Sequence, residues 1–124
     1  VRGTCVGLVS AHAGASGIHR ELVARHGHGL PVLDFPEVTV AGAQDANKGH
    51  ALSLVCDDLG IDRAQVIAIG DSVNDAAMLA WAGRGFAMPH SDAYAMDAAD
   101  EVLEPGEDML AAFLEDLVRS APAG

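Results

Sequence analysis

Gly70-Asp71-Ser72-Val73-Asn74-Asp75 sets two carboxylates four residues apart, directly after the apolar run Val66-Ile67-Ala68-Ile69. A branched apolar run that ends in glycine reads as a buried parallel strand. Ligands of open α/β sheets bind beyond the carboxyl ends of such strands. An acid pair at such an edge is well placed for a metal ion. The same residues also spell a helix N-terminal capping box, with Ser72 as cap and Asp75 three positions on. The two readings are compatible, because Ser72 can cap a helix while Asp71 faces an ion. A second candidate is Lys48, the single lysine in 124 residues. It falls in the first turn of a predicted helix, where a cation opposes the macrodipole at a cost of about 0.3–1 kcal/mol. Either it is a solvated surface lysine, or Lys48 and the helix N-terminus together attract an anion.

The elements that must position these residues follow from hydrophobic periodicity and breakers. Residues 4–9 read as a strand, and Ser16 can cap a helix to about residue 25, with Ile18, Leu22 and Val23 on its apolar face. Short strands at 31–33 and 37–40 complete a βαββ-like unit. A boundary is expected near Gly42-Ala43-Gln44. From residue 45 a helix runs to Leu59, where Leu52, Val55, Cys56 and Leu59 form one apolar stripe. The strand at 66–69 and a helix from Val73 to Gly83 come next, with Met78, Leu79 and Trp81 expected in the core. Residues 85–88 form a strand stopped by Pro89, 91–99 a short helix, and 100–103 a last brief strand. A helix at 108–118, with Leu110, Phe113, Leu114 and Leu117 inward, precedes a frayed tail. Strands alternating with helices imply a parallel sheet, so the fold class is α/β.

Composition narrows the partners. Half of the residues are apolar, which argues against disorder, and no apolar run reaches the roughly 18 residues of a membrane span. A net charge of −11, with a single lysine, argues against a nucleic-acid backbone as partner, since that requires a basic face. Cys5 and Cys56 lie in apolar surroundings and read as reduced core thiols of a cytoplasmic protein. His26 and His28, with His12 and His19 nearby, have no metal-ligand spacing. They fit a solvated helix terminus, which favours histidine through the dipole. The first residue is Val1 rather than Met, as in a processed or partial chain.

Taken in order, Asn47-Lys48-Gly49-His50-Ala51-Leu52, Gly70-Asp71-Ser72-Val73-Asn74-Asp75, Met78-Leu79, Ala82-Gly83, Phe86-Ala87-Met88 and Ala99-Asp100 resemble the C-terminal half of the Cof-type phosphatases. These form a branch of the haloacid dehalogenase (HAD) superfamily with an α/β cap. The likeness is close from about residue 38 to 117. It implies that residues 45–124 are the later half of a Rossmann-like core and residues 1–44 the end of the cap. It also implies Mg²⁺-dependent hydrolysis of a small phosphate ester, such as a sugar phosphate, through an aspartyl-phosphate. By the resemblance Lys48 steadies the nucleophile and the transferred phosphoryl group, and Asp71 is the Mg²⁺ ligand. Asp75 holds the metal through water or orients its ligands, and Asn74 hydrogen-bonds at the phosphate side.

The sequence departs from the family at one decisive point. The family's nucleophile is the first aspartate of an Asp-x-Asp motif, and this sequence contains no Asp-x-Asp. Asp57-Asp58, Asp97 and Asp100 fall on or near helices and do not fit. The first three core strands are lacking too, and Met96-Asp97 stands where many relatives carry a lysine. The partners expected are a small phosphorylated metabolite and a complementary chain or another copy. The alternatives are a non-catalytic metal-binding module, or a subunit completed by a separate chain bearing the first motif.

Overall fold

The computed structural model describes residues 5–9, 15–27, 31–34, 38–42 and 46–122, and their strands form two three-stranded sheets. In the first, β1 (Cys5–Val9), β2 (Val32–Asp34) and β3 (Val38–Gly42) run antiparallel in the order β1-β3-β2. Helix α1 (Ala15–His26) joins β1 to β2, giving the expected βαββ unit. Val32, Leu33, Val40 and Ala41 are half-buried. His26 ends α1 exposed beside Arg25, where positive groups complement the dipole. His12, His28, Ala43 and Gln44 lie outside the described residues, as does the side chain of Cys5.

The second sheet is parallel, with β4 (Ile67–Gly70), β5 (Arg84–Ala87) and β6 (Glu101–Val102) side by side in chain order. Helix α3 (Ala76–Trp81) carries the chain from β4 to β5, and α4 (Ala93–Ala98) from β5 to β6. Ahead of them α2 (Lys48–Leu59) starts at Asn47, whose side-chain oxygen accepts the His50 N–H at 2.8 Å. Gly60, at φ 67°, ends that helix in the left-handed conformation glycine adopts without strain. Helix α5 (Met109–Ser120) follows β6. The core is built of small side chains: Ala68, Ala82 and Ala95 surround the fully buried Leu79. Cys56 is a free, buried thiol.

Three expectations change. Residues 73–83 are not one helix: Val73–Asp75 form a 3-10 turn, and the α-helix proper has six residues. The Asp75 N–H bonds to the Ser72 carbonyl at 2.8 Å, closing the tighter i→i+3 turn. The stripe of α2 is also only partly covered, since Val55 is 53% and Leu59 64% exposed. The face that packs instead holds Gly49, Leu52, Ser53 and Cys56, because Gly49 lets α2 approach α3 backbone to backbone. Along α5, Phe113 and Leu117 are half-buried while Leu110 and Leu114 remain exposed. Phe113 packs on Phe86 with ring centroids 4.6 Å apart, and the Arg84 guanidinium lies 4.9 Å from the Phe86 centroid.

A Cβ added at Gly49 would lie 2.5 Å from the Ala77 carbonyl oxygen, so that helix contact requires glycine. In an open helix, Gly→Ala stabilises by about 1 kcal/mol. Here the clash should reverse the sign, and Gly49→Ala should destabilise by about 1–3 kcal/mol in urea unfolding. A stabilised variant would mean that α2 and α3 do not meet this closely.

Candidate active site

Asp71 follows β4 directly and therefore stands at the carboxyl edge of the parallel sheet, half exposed. Asp75 takes the opposite position. It is only 6% exposed and folds back beneath the turn it belongs to. One of its oxygens, Oδ2, accepts the N–H of Asp71 at 2.9 Å and, longer, that of Ser72 at 3.4 Å. The other, Oδ1, accepts from Lys48 Nζ at 2.5 Å. This fold-back explains Gly70, where a Cβ would lie 2.5 Å from the Asp75 Cβ. Asp75 thus returns to the N–H groups that open the turn, and Asp71 is left facing out.

Lys48 reaches Asp75 because Gly49 brings the first turn of α2 against α3. The unfavourable dipole position of Lys48 is therefore offset by a counter-ion 27 residues away. Its side chain is still about half exposed, so it serves the buried carboxylate and faces the cleft at once. Lys48, Asp71, Asp75, Met78 and Met88 line an open cleft of about 540 Å³, to which Leu110 and Leu114 of α5 add an apolar wall. Met78 is thus a cleft residue as well as a core neighbour. Asn74 is half-buried, accepts a hydrogen bond from the Ser72 hydroxyl, and faces an adjoining hollow shared with Lys48 and His50. Asp97 and Asp100 do not line the cleft. Asp100 instead accepts the Gly85 N–H at 2.8 Å, tying β6 to β5.

Two residues of the site do not stand out from spacing alone. His90 Nε2 lies 3.2 Å from Asp71 Oδ2, and Asp92 Oδ2 accepts the Val73 N–H at 2.8 Å. Strand order carries the signal: residues just past β5 must emerge beside those just past its parallel neighbour β4.

A family model for haloacid dehalogenase-like hydrolases matches residues 36–111. The chain belongs to that family. It is 39% identical over 93 residues to the phosphoglycolate phosphatase of Natronomonas pharaonis, covering 75% of this chain and 40% of that protein. Among solved structures, a haloacid dehalogenase-like hydrolase from Bacillus subtilis superposes with a TM-score of 0.76 at 25% identity, over 92% of this chain and 40% of the other. A HAD subclass IIB sugar phosphatase superposes with a TM-score of 0.72 at 22% identity, over 84% and 40%. The HAD chain thus spans about two fifths of the length of these relatives. No helix among its described residues is long and apolar enough to cross a membrane.

Burial pushes the Asp75 carboxyl up, but the Lys48 ammonium and the N–H groups of Asp71 and Ser72 outweigh it and hold the group below its ordinary value. A carboxyl lowered by folding adds stability that is complete above its unfolded value, near pH 4. That stability is lost as pH falls through the folded value. The urea midpoint should therefore fall between pH 5 and pH 2.5, and fall less steeply in Asp75→Asn. Lys48→Met should destabilise by about 1–3 kcal/mol at pH 7, since it strips a buried carboxylate of its charged partner. Equal pH slopes, or a Lys48→Met variant as stable as wild type, would remove Asp75 from the centre of the site.

Proposed function

We propose that this chain carries the cation-binding and charge-neutralising part of a Mg²⁺-dependent phosphatase acting on a small phosphate ester. The observation that carries the reading is one constellation: Asp71 outward at the carboxyl edge of β4, with Asp75 and Lys48 joined directly behind it. Phosphoryl transfer asks a protein chiefly to position groups and neutralise charge. Relatives that act on phosphoglycolate and on sugar phosphates support a small ester as substrate.

The donor set fits a hard cation. Asp71 offers carboxylate oxygen at the cleft, while both oxygens of Asp75 already accept hydrogen bonds. Asp71 would hold Mg²⁺ and Asp75 would orient it, the remaining positions being filled by water and substrate oxygens. The bound cation would supply charge neutralisation for the phosphoryl oxygens. Lys48 has three N–H donors and gives one to Asp75, which leaves two for a phosphoryl group or a nucleophile carboxylate. Asn74 would complete the phosphate side. The phosphoryl acceptor in this reading is an aspartate of an Asp-x-Asp motif, which this sequence does not contain. β4, one of the two edge strands of its sheet among the described residues, offers an edge where a strand bearing that motif could add. Such a strand would come from another part of a longer chain or from a complementary chain. Residues 1–44 would be the closing piece of a cap, and 45–124 the later half of the core.

A non-catalytic cation-binding module is the second reading, favoured by the same missing motif. The 124-residue chain alone, given a chromogenic phosphate ester and Mg²⁺, should show no turnover. Complemented by a polypeptide that carries the Asp-x-Asp strand, it should turn over. In that complex Asp71→Asn and Lys48→Ala should each lower kcat by about 100-fold or more. Turnover by the chain alone that disappears in Asp71→Asn would show that it carries its own nucleophile. Persistent silence after complementation would favour the module.

A further inference from the structure

The loop between β5 and α4 is sewn onto the loop that carries Asp71. Met88 donates its N–H to the Gly70 carbonyl at 3.0 Å, and Asp92 donates its N–H to the Asp71 carbonyl at 3.0 Å. The Asp92 carboxylate binds outward and inward at once, taking the Val73 N–H at 2.8 Å and the Ala95 N–H of α4 at 2.9 Å. Within the loop, the Ser91 N–H returns to the Met88 carbonyl at 3.0 Å and closes a four-residue turn with Pro89 second. Proline is favoured there because its φ is preset. His90 is third in that turn, so its backbone is held from both sides beside Asp71. Its Nε2 then meets Asp71 Oδ2 at 3.2 Å. Among the described residues, no other side chain hydrogen-bonds the Asp71 carboxylate.

We propose that His90 is a positioning residue for Asp71. Its Nε2–H engages Oδ2 and fixes the rotamer of the carboxylate, so that the other oxygen is presented to a hard divalent cation. The inference rests on the cation-binding reading of the cleft. An imidazole that only orients a ligand differs from one that is a ligand. Mg²⁺ takes oxygen donors, and the hydrogen bond to a ligating carboxylate acts by holding it in place. Asp92 extends the same device, because it anchors the loop that carries His90 to the turn that carries Asp71.

The test is Mn²⁺ binding to the 124-residue chain, followed by electron paramagnetic resonance with Mg²⁺ as competitor, in wild type, Asp71→Asn, His90→Ala and His90→Gln. Wild type should bind Mn²⁺ competitively with Mg²⁺, and Asp71→Asn should lose the site. His90→Ala should weaken affinity about 10-fold, the lower end for an orienting partner because the pair is exposed. His90→Gln, whose Nε2–H can reach the same oxygen, should return to within about twofold. The exposed His90 ring contributes little to the fold, so the urea midpoint should not move in either variant. Unchanged or tighter binding in His90→Ala overturns the inference and leaves the cation reading intact. Equal losses in His90→Ala and His90→Gln overturn it by making the imidazole a direct ligand. A wild-type chain that binds no Mn²⁺ overturns both.

Discussion

The buried carboxylate of Asp75 is the constraint on which the site depends. A carboxylate this sheltered is tolerated only with its lone pairs matched, and here each oxygen is assigned. Lys48 occupies one, and the backbone that leads out of β4 occupies the other. Three segments are tied by that arrangement: the first turn of α2, the end of β4 and the start of α3. Asp71 gains a defined direction because its own N–H is used. Two carboxylates four residues apart therefore do different work, one inside the structure and one at its surface.

Glycine makes the arrangement sterically possible at two points. Without Gly70, Asp75 could not fold back beneath Asp71, and without Gly49, α2 could not bring Lys48 within reach. The alanine-rich core serves the same end, since Ala68, Ala82 and Ala95 let helices sit close to the parallel sheet. Close backbones hold the site more firmly than long side chains would, because few rotamers have to be fixed. The β5–α4 loop adds a further clamp through main-chain hydrogen bonds to Gly70 and Asp71.

Much of this is legible in the sequence, for reasons that differ from residue to residue. The Val66–Ile69 run, its terminal glycine and the following acids report a strand end directly, because strand burial and turn chemistry are local. The α/β alternation and the parallel sheet follow from the same local signals. The partnership of Lys48 with Asp75 is not local. It requires the packing of α2 on α3, and the glycine beside Lys48 is its only trace in the sequence. Periodicity fares worse where coverage decides the outcome. Leu52, Val55, Cys56 and Leu59 do share a face of α2, but periodicity cannot say which side of that face another element will meet. The packed side proved to be the one centred on Gly49. Histidine 90 escapes a motif search because its meaning comes from the neighbouring strand, not from its neighbours in sequence.

Charge explains why the proposed phosphatase would need a cation in this cleft. The ammonium of Lys48 and the carboxylates of Asp71 and Asp75 together leave one net negative charge. In a chain of net charge −11, nothing distant relieves it, and screening confines useful attraction to roughly a Debye length of about 8–10 Å. A phosphate ester would meet repulsion at such a surface. One divalent cation on Asp71 would reverse the sign locally, leaving a single net positive charge where the phosphate must sit. Lys48 alone cannot do this, because half of its task is already to neutralise Asp75. In that reading the scarcity of lysine and the placement of Asp71 are two sides of one electrostatic requirement: the buried ion pair spends the protein's own positive charge on structure, and a phosphate ester would be received by charge that arrives with the metal.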